Sequence, residues 1–499
     1  MKKFMYAALA VAAVLLFASC KNDKNQPNGQ EKADAYVSFT FSLPQDGFRA
    51  EANDVAGANA KDTYVGTKAE QEIKAVRVVL YDPASGAAKY AFDYNITATN
   101  GAAATGEIAG TATAAKFTTK AKGVTSQDYL MLAIINPTAD VKTATDKGKT
   151  LLDAQTAITS DATKLSAAGI LMSNDRGLVK VTPDKMKATD TEAEGAPVAV
   201  SVDRILAKVF VGGKAEVPTG AKFTGIKWQL NTTNKKTFIY RQFGQVVTEK
   251  DKFAVETAED QSTRFNRYAQ DPNFSGTFND ADFEYIEGTP DLKGTFGYDD
   301  ANGQYCLENT MAAASQKVQQ TTSFILSGTW TPKGFTEGET WYSYQGFTFT
   351  TAKMKDYITE ANDATKKDKA DINGTPLGFK AALKALLAEA NCPVKADGTI
   401  TESFVSHDIK GYFKGVCYYQ SNLIRHFNDD QSSLNMGYGR YGVVRNNIYK
   451  INIKSISQPG EPTVVNDKDK DKDDDPKDVF VSFDVTINPW IVRTQDISL

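Results

Sequence analysis

Two stretches at opposite ends of the chain alternate apolar and polar residues in the same order. Tyr36-Val37-Ser38-Phe39-Thr40-Phe41-Ser42-Leu43 sets Val37, Phe39, Phe41 and Leu43 against polar neighbours. Val479-Phe480-Val481-Ser482-Phe483-Asp484-Val485-Thr486-Ile487 does the same with Val479, Val481, Phe483, Val485 and Ile487. A period of two predicts half-buried strands. Side chains alternate faces along a strand, so the shared Val-Ser-Phe and the alternation after it present the same row of knobs to a groove.

Between these ends the pattern predicts a mainly β chain. Ala75 to Tyr81 and Tyr129 to Asn136 are apolar runs suited to buried strands. Thr97 to Lys122, rich in Ala, Thr, Lys and Gly, suits surface loops or edge strands. A second unit opens near Val200, with strand-like segments at Ser201 to Gly212, Phe223 to Leu230 and Phe238 to Phe243. One helix is predicted, with Thr375 as N-cap, Pro376 at its first position, and Phe379, Leu383, Leu386 and Leu387 on one apolar face. Asn391 and Pro393 stop it. Val443 to Lys454 is a further strand. One or two helices on a β body exclude a βαβ repeat.

The N-terminus carries a different signal. Lys2 and Lys3 precede an apolar stretch, Phe4 to Phe17, too short to span a membrane. Ala18-Ser19 then lead into Cys20. Residues 1–19 read as a lipoprotein signal peptide, and Leu16-Phe17-Ala18-Ser19-Cys20 resembles a bacterial lipobox whose cysteine takes a diacylglyceryl group. Acyl chains contribute roughly 0.8 kcal/mol per buried CH₂, so the precursor would be held on a membrane through the Cys20 lipid. Lys21 to Asp34 is a polar tether. Arg49, next to Ala50, follows the turn Pro44-Gln45-Asp46-Gly47 in a polar stretch where proteases cut.

Composition narrows the class. A length of 499 residues suggests two to four globular units at ~100–200 residues each, and 41% hydrophobic residues fill real cores. A net charge of -4 offers no basic field for nucleic acid. Cys306, Cys392 and Cys417 have no zinc-ligand spacing. They are either one disulfide with a free thiol or three buried free thiols. Asn466 to Pro476 is a charge run without an apolar residue apart from its final proline, and reads as a solvated linker.

These features fit one mechanism. If a protease cuts after Arg49, residues 20–49 leave as a propeptide and take the first strand with them. A groove with unpaired backbone and a bare apolar floor opens. The tail of a second copy, residues 478–499, can fill it by strand addition. Its five knobs would contribute roughly 1.5–3 kcal/mol each when fully buried. The linker reaches ~40 Å extended, and a head-to-tail contact that does not close gives a filament. The alternative is that the two terminal strands simply pair within one domain.

The residues also carry a resemblance. Gly442-Val443-Val444-Arg445-Asn446-Asn447-Ile448-Tyr449-Lys450-Ile451-Asn452-Ile453-Lys454-Ser455-Ile456 and the ending Val481-Ser482-Phe483-Asp484-Val485-Thr486-Ile487-Asn488-Pro489-Trp490-Ile491-Val492 resemble the fimbrillins of Bacteroidales type V pili, most of all their minor-fimbrium shaft subunits. Gly169 to Asn174 and Val202 to Val209 resemble further family segments. The resemblance implies two transthyretin-like β-sandwich domains, here 50–200 and 201–464, with an acidic linker at 465–477 and C-terminal donor strands. It implies an outer-membrane precursor cut at Arg49-Ala50 by an Arg-specific surface protease. It further implies polymerisation of copies into a cell-surface fimbrium, with accessory tip and anchor subunits.

Other motifs lack their context. Gly437-Tyr438-Gly439-Arg440-Tyr441-Gly442 spells GxGxxG, but a strand follows where a dinucleotide site needs a helix. Gly148-Lys149-Thr150 ends like a P-loop, yet Thr143 stands where its first glycine belongs. Asp467 to Asp475 lacks the glycine and glutamate of a calcium loop. His407 and His426 sit in no triad or metal signature, and Asp429-Asp430 reads as a turn. No catalytic, cofactor or metal residue is expected. The remaining readings are a monomeric surface lipoprotein binding glycan or host protein, or a fimbrial tip or anchor.

Overall fold

The computed structural model describes residues 33–43, 67–242, 269–424 and 441–465, with short breaks inside these spans, and the backbone of 481–489 and 493–495. Cys20, Arg49, Ala50, the charge run from Asn466, Val479, His426, Asp429-Asp430 and most of the GxGxxG stretch lie outside the described residues.

The protein is mainly β. Its N-terminal part is built on an eight-stranded sheet. One path runs Ala88–Tyr94, Val76–Tyr81, Tyr129–Ile135, Met172–Asn174, Val198–Arg204, Phe39–Ser42 and Lys116–Thr118, and Val179–Val181 also pairs with Tyr129–Ile135. The central strands are largely apolar, interrupted in Val76–Tyr81 only by the buried, ion-paired Arg77, because both of their faces are covered. In Val76–Tyr81, Val76, Val78 and Leu80 join one core with Met131, Ala133, Val200 and Phe41. Val79 and Tyr81 face the other way, into a second core with Leu132, Ile134, Leu206, Phe210 and Ile448. That second core joins the N-terminal sheet to the strands that follow.

Those strands make a sandwich. A five-stranded sheet runs Gln304–Leu307, Leu206–Glu216, Asn447–Ile456, Val481–Pro489 and Arg493–Gln495. A four-stranded sheet of Gly294–Thr295, Lys222–Asn231, Ser323–Thr331 and Val416–Leu423 accompanies it. Val209, Val211, Trp228, Leu230, Leu326, Trp330, Tyr449 and Ile451 fill the core between them. The passage from the N-terminal sheet to this one falls at the single buried residue Ile205, between Val198–Arg204 and Leu206–Glu216.

A third layer is inserted between Ser323–Thr331 and Val416–Leu423. Its sheet runs Phe347–Thr350, Trp341–Tyr344, Ile409–Tyr412 and Phe404–Ser406. Helices Thr351–Asn362 and Phe379–Leu387 pack their apolar faces on it, through Met354, Ile358, Phe379, Leu383 and Leu386.

Several local expectations need correction. The predicted helix starts at Phe379 rather than Pro376, because Gly378 takes the cap position at φ 84°, a left-handed conformation that suits glycine. Thr375 instead turns its hydroxyl to the Ile372 carbonyl at 2.7 Å. The helix Thr351–Asn362 was not foreseen; Thr350 caps it by accepting from the Lys353 N–H. Phe238 to Gln242 is not a strand: Ile239 and Tyr240 sink into the core that joins the two parts. The Val443 segment becomes a strand only at Asn447, since Asn446 adopts φ 61° and breaks the extended run. Cys306, Cys392 and Cys417 are all unbridged, so the disulfide alternative is not realised. Burial pushes the thiols of Cys306 and Cys417 up to about 12.

Candidate functional site

The first alternating segment lies deep in the N-terminal part. Ala35–Val37 pairs antiparallel with Lys122–Val124. Phe39–Ser42 then runs between two walls. It is parallel to Val198–Ser201, with Phe39 opposite Val198 and Phe41 opposite Val200, and antiparallel to Lys116–Thr118. Both backbone edges of the segment are therefore used. Val37, Phe39 and Phe41 are wholly buried, and Leu43 packs half-buried against the same core. The Phe41 ring stacks on Phe117 with centroids 5.0 Å apart. Tyr36 exchanges backbone hydrogen bonds with Lys187 at 2.8 and 2.9 Å.

One residue departs from the alternation. Ser38, between the two short strands, is buried although its neighbours Val37 and Phe39 are buried too. Its hydroxyl donates to the Thr119 carbonyl at 2.8 Å, and its own carbonyl accepts from Val198 N–H at 2.8 Å. Thr119 also takes the Phe39 N–H on its hydroxyl at 3.1 Å and gives its N–H to the Phe39 carbonyl at 2.8 Å. Thr119 thus clamps the segment where it passes from one pair of neighbours to the other. Nothing in the sequence pointed to Thr119, which lies about eighty residues from its partners.

The second alternating segment lies elsewhere. Val481–Pro489 pairs antiparallel with Asn447–Ile456, placing Phe483 opposite Ile453, Val485 opposite Ile451 and Ile487 opposite Tyr449. Arg493–Gln495 folds back along its other edge. The two terminal segments therefore do not pair with each other. One fills a slot in the N-terminal sheet, and the other is added to the C-terminal sheet.

Between slot and tail lies a buried polar seam. Lys208 donates to Glu70 Oε1 at 2.7 Å with both side chains inaccessible, and the Tyr305 hydroxyl bonds the same carboxylate. Burial raises the Glu70 pKa, but Lys208 and these bonds outweigh it and hold the carboxyl below its usual value. Arg445 Nε meets Glu308 at 2.8 Å, and Asn446 Nδ2 donates to Asp203 at 3.0 Å, with Arg241 3.3 Å from the same carboxylate. Asn447 Nδ2 donates to the carbonyls of Val444 and Arg445 at 3.1 and 2.9 Å. The Arg-Asn-Asn run that carries the sequence resemblance thus works as an internal brace leading into the strand beside the tail.

The other sequence motifs have local roles. Gly148 turns at φ 85° in a surface turn. His407 and Asp408, at φ 49° and 61°, form the two-residue hairpin turn between Phe404–Ser406 and Ile409–Tyr412. Among the described residues no helix is long and apolar enough to cross a membrane.

A layered β protein with a slot filled by its own N-terminal strand, and a C-terminal strand pair added at a sheet edge, is an architecture suited to assembly through strands. Residues 410–496 match the family model of the major fimbrial subunit protein type IV, fimbrillin, C-terminal. Over this segment the chain is similar to the C-terminal part of the fimbrillins. The chain is also similar to the solved structure of a fimbrilin, FimA, from Porphyromonas gingivalis W83, at 14% identity over 93% of this chain and 99% of that one, TM-score 0.41. It is similar to the tip fimbrial protein Mfa3 from Porphyromonas gingivalis at 11% identity over 90% and 99%, TM-score 0.31. A fimbrial assembly protein from Parabacteroides distasonis shares 13% identity over 59% and 81%, TM-score 0.29. No curated protein matches the chain.

Proposed function

We propose that the chain is the structural shaft subunit of a cell-surface fimbria, polymerised by donor-strand exchange and serving adhesion and biofilm formation. In this reading it is exported as an outer-membrane lipoprotein precursor acylated at Cys20. An Arg-specific surface protease cuts after Arg49, and the new chain begins at Ala50. Accessory tip and anchor subunits complete the fibre.

One observation carries the reading. The segment that cleavage would release is not peripheral: Val37, Phe39 and Phe41 are wholly buried, and both neighbours of Phe39–Ser42 depend on it for backbone pairing. Its loss bares apolar surface worth roughly 1.5–3 kcal/mol per large side chain, along with open ladder edges. Val481, Phe483, Val485 and Ile487 match Val37, Phe39, Phe41 and Leu43 in order. A neighbour's tail therefore offers the same knobs and the same backbone. To reach the slot, that tail leaves its place beside Asn447–Ile456, so assembly exchanges one ladder for another.

A second reading, a monomeric surface lipoprotein that keeps residues 20–49 and binds glycan or host protein, draws on the tail's pairing within its own sheet. Removal of residues 478–499 separates the two. The truncated protein, cut at Arg49, is expected to form no heat-resistant ladders on a gel, while the full chain forms them. Ladders from the truncated protein alone would refute the tail as donor.

A further inference from the structure

We infer that the slot reads a small hydroxyl as well as a row of apolar knobs, and that Ser482 of the incoming tail sets the register by replacing Ser38 against the Thr119 carbonyl. The inference rests on the strand-exchange reading above and specifies how the partner is aligned in that same slot.

The row of knobs alone does not fix the alignment. A tail that slides by two residues still presents apolar side chains to the floor, because the strand period is two. The Ser38 position breaks this degeneracy. It is buried, it lies between two buried knobs, and its hydroxyl donates to a carbonyl. A buried carbonyl left without a donor is unfavourable, so the occupant must be small and must carry a hydrogen to give.

Four tail residues reach this position with the knobs still directed inward. Phe480 is too large for a serine's place and has no polar hydrogen. Asp484 would set a carboxylate against the Thr119 carbonyl, an acceptor facing an acceptor in a buried site. Thr486 has a hydroxyl, but that register carries Pro489 into the place of Phe41, where a proline brings no N–H to the ladder. Ser482 alone satisfies size, donor and ladder together. It places Phe483 in the place of Phe39, Asp484 in that of the half-buried Thr40, and Val485 in that of Phe41. The sequence supplies the Val-Ser-Phe match; the structure supplies the reason its middle residue matters.

The test moves the hydroxyl and asks whether the strand follows. Thr40 lies opposite Thr118 and Ser42 opposite Lys116 in the same antiparallel ladder, so both positions present equivalent pairs for a cross-strand disulfide. The full chain carries Asp484→Cys with either Thr118→Cys or Lys116→Cys, in a Cys392→Ser background, and is cleaved, assembled and oxidised. With the natural tail, position 484 is expected to cross-link between subunits to position 118 and not to 116. In the double substitution Phe480→Ser with Ser482→Phe, the hydroxyl shifts by two residues while the knobs stay. The cross-link is then expected to move to position 116.

A cross-link that stays at 118 in the swapped tail overturns the inference and leaves strand exchange standing. Intersubunit cross-links at neither position, with either tail, overturn strand exchange itself. Ser482→Ala gives a second readout: assembly is expected to slow roughly tenfold, because a buried acceptor loses its donor. Ser38→Ala should leave assembly of the cleaved protein unchanged, since Ser38 has left with the propeptide. An unchanged rate for Ser482→Ala would also contradict the inference.

Discussion

Phe41 and Lys208 are the two residues whose substitution distinguishes the slot from the seam. Phe41 is wholly buried and stacked on Phe117. Phe41→Ala is expected to lower the stability of the uncut precursor by about 3–5 kcal/mol, measured as a shift in the urea midpoint. The same substitution should leave the stability of assembled fibres unchanged, because residue 41 leaves with the propeptide in the strand-exchange reading. Lys208→Met is different, since it leaves the Glu70 carboxylate buried beside a vanished partner, a loss of about 3–5 kcal/mol near neutral pH. The sign of its pH dependence follows from Glu70. Its folded pKa is lowered, so its contribution is present above 4.5 and is lost as pH falls through the lower folded value. Without Lys208, burial raises that pKa and the carboxyl takes up a proton. The stability gap between wild type and Lys208→Met should therefore narrow between pH 7 and pH 4. A gap that widens in acid would show that the pair is not the source of the effect.

Elements were legible in the sequence where one local pattern decides them. The period of two announced Phe39–Ser42 and Val481–Pro489, and the apolar runs announced Val76–Tyr81 and Tyr129–Ile135. Of the inserted layer only the helix Phe379–Leu387 was legible; Thr351–Asn362 was not, because it is mostly polar and is held by contact with a sheet assembled from distant strands. The break at Ser38 was invisible for a similar reason: a serine in an alternating strand reads as a solvent-facing residue until Thr119 is brought against it. The bulge at Gly213 belongs to the same class. Gly213 has φ 121°, and a Cβ there would stand 2.4 Å from the Ile453 carbonyl oxygen, in the strand that also pairs with the tail. Gly213→Ala is expected to cost about 1–3 kcal/mol in thermal or urea unfolding. A neutral result would mean that the ladder yields at this bulge.

At the scale of the whole molecule, the slot that holds Phe39–Ser42 and the tail strand Val481–Pro489 are connected by paired backbone. The slot wall Val198–Arg204 passes through Ile205 into Leu206–Glu216, which pairs with Asn447–Ile456, which in turn pairs with Val481–Pro489. The seam of Glu70, Lys208, Asp203, Arg241, Arg445 and Glu308 braces this path at the passage between the sheets. Emptying the slot should therefore destabilise the N-terminal part of a cleaved monomer. Cleavage after Arg49 in protein lacking residues 478–499 is expected to lower the melting temperature, and a synthetic peptide of residues 478–489 is expected to restore it. No change on cleavage would mean that the first strand contributes little to the fold, against its burial. The most direct test is the amino-terminal residue of subunits in purified fibres. Ala50 is expected there, with no peptide from residues 35–43 retained in the fibre. Subunits that still carry Val37, Phe39 and Phe41 within an assembled fibre would contradict it.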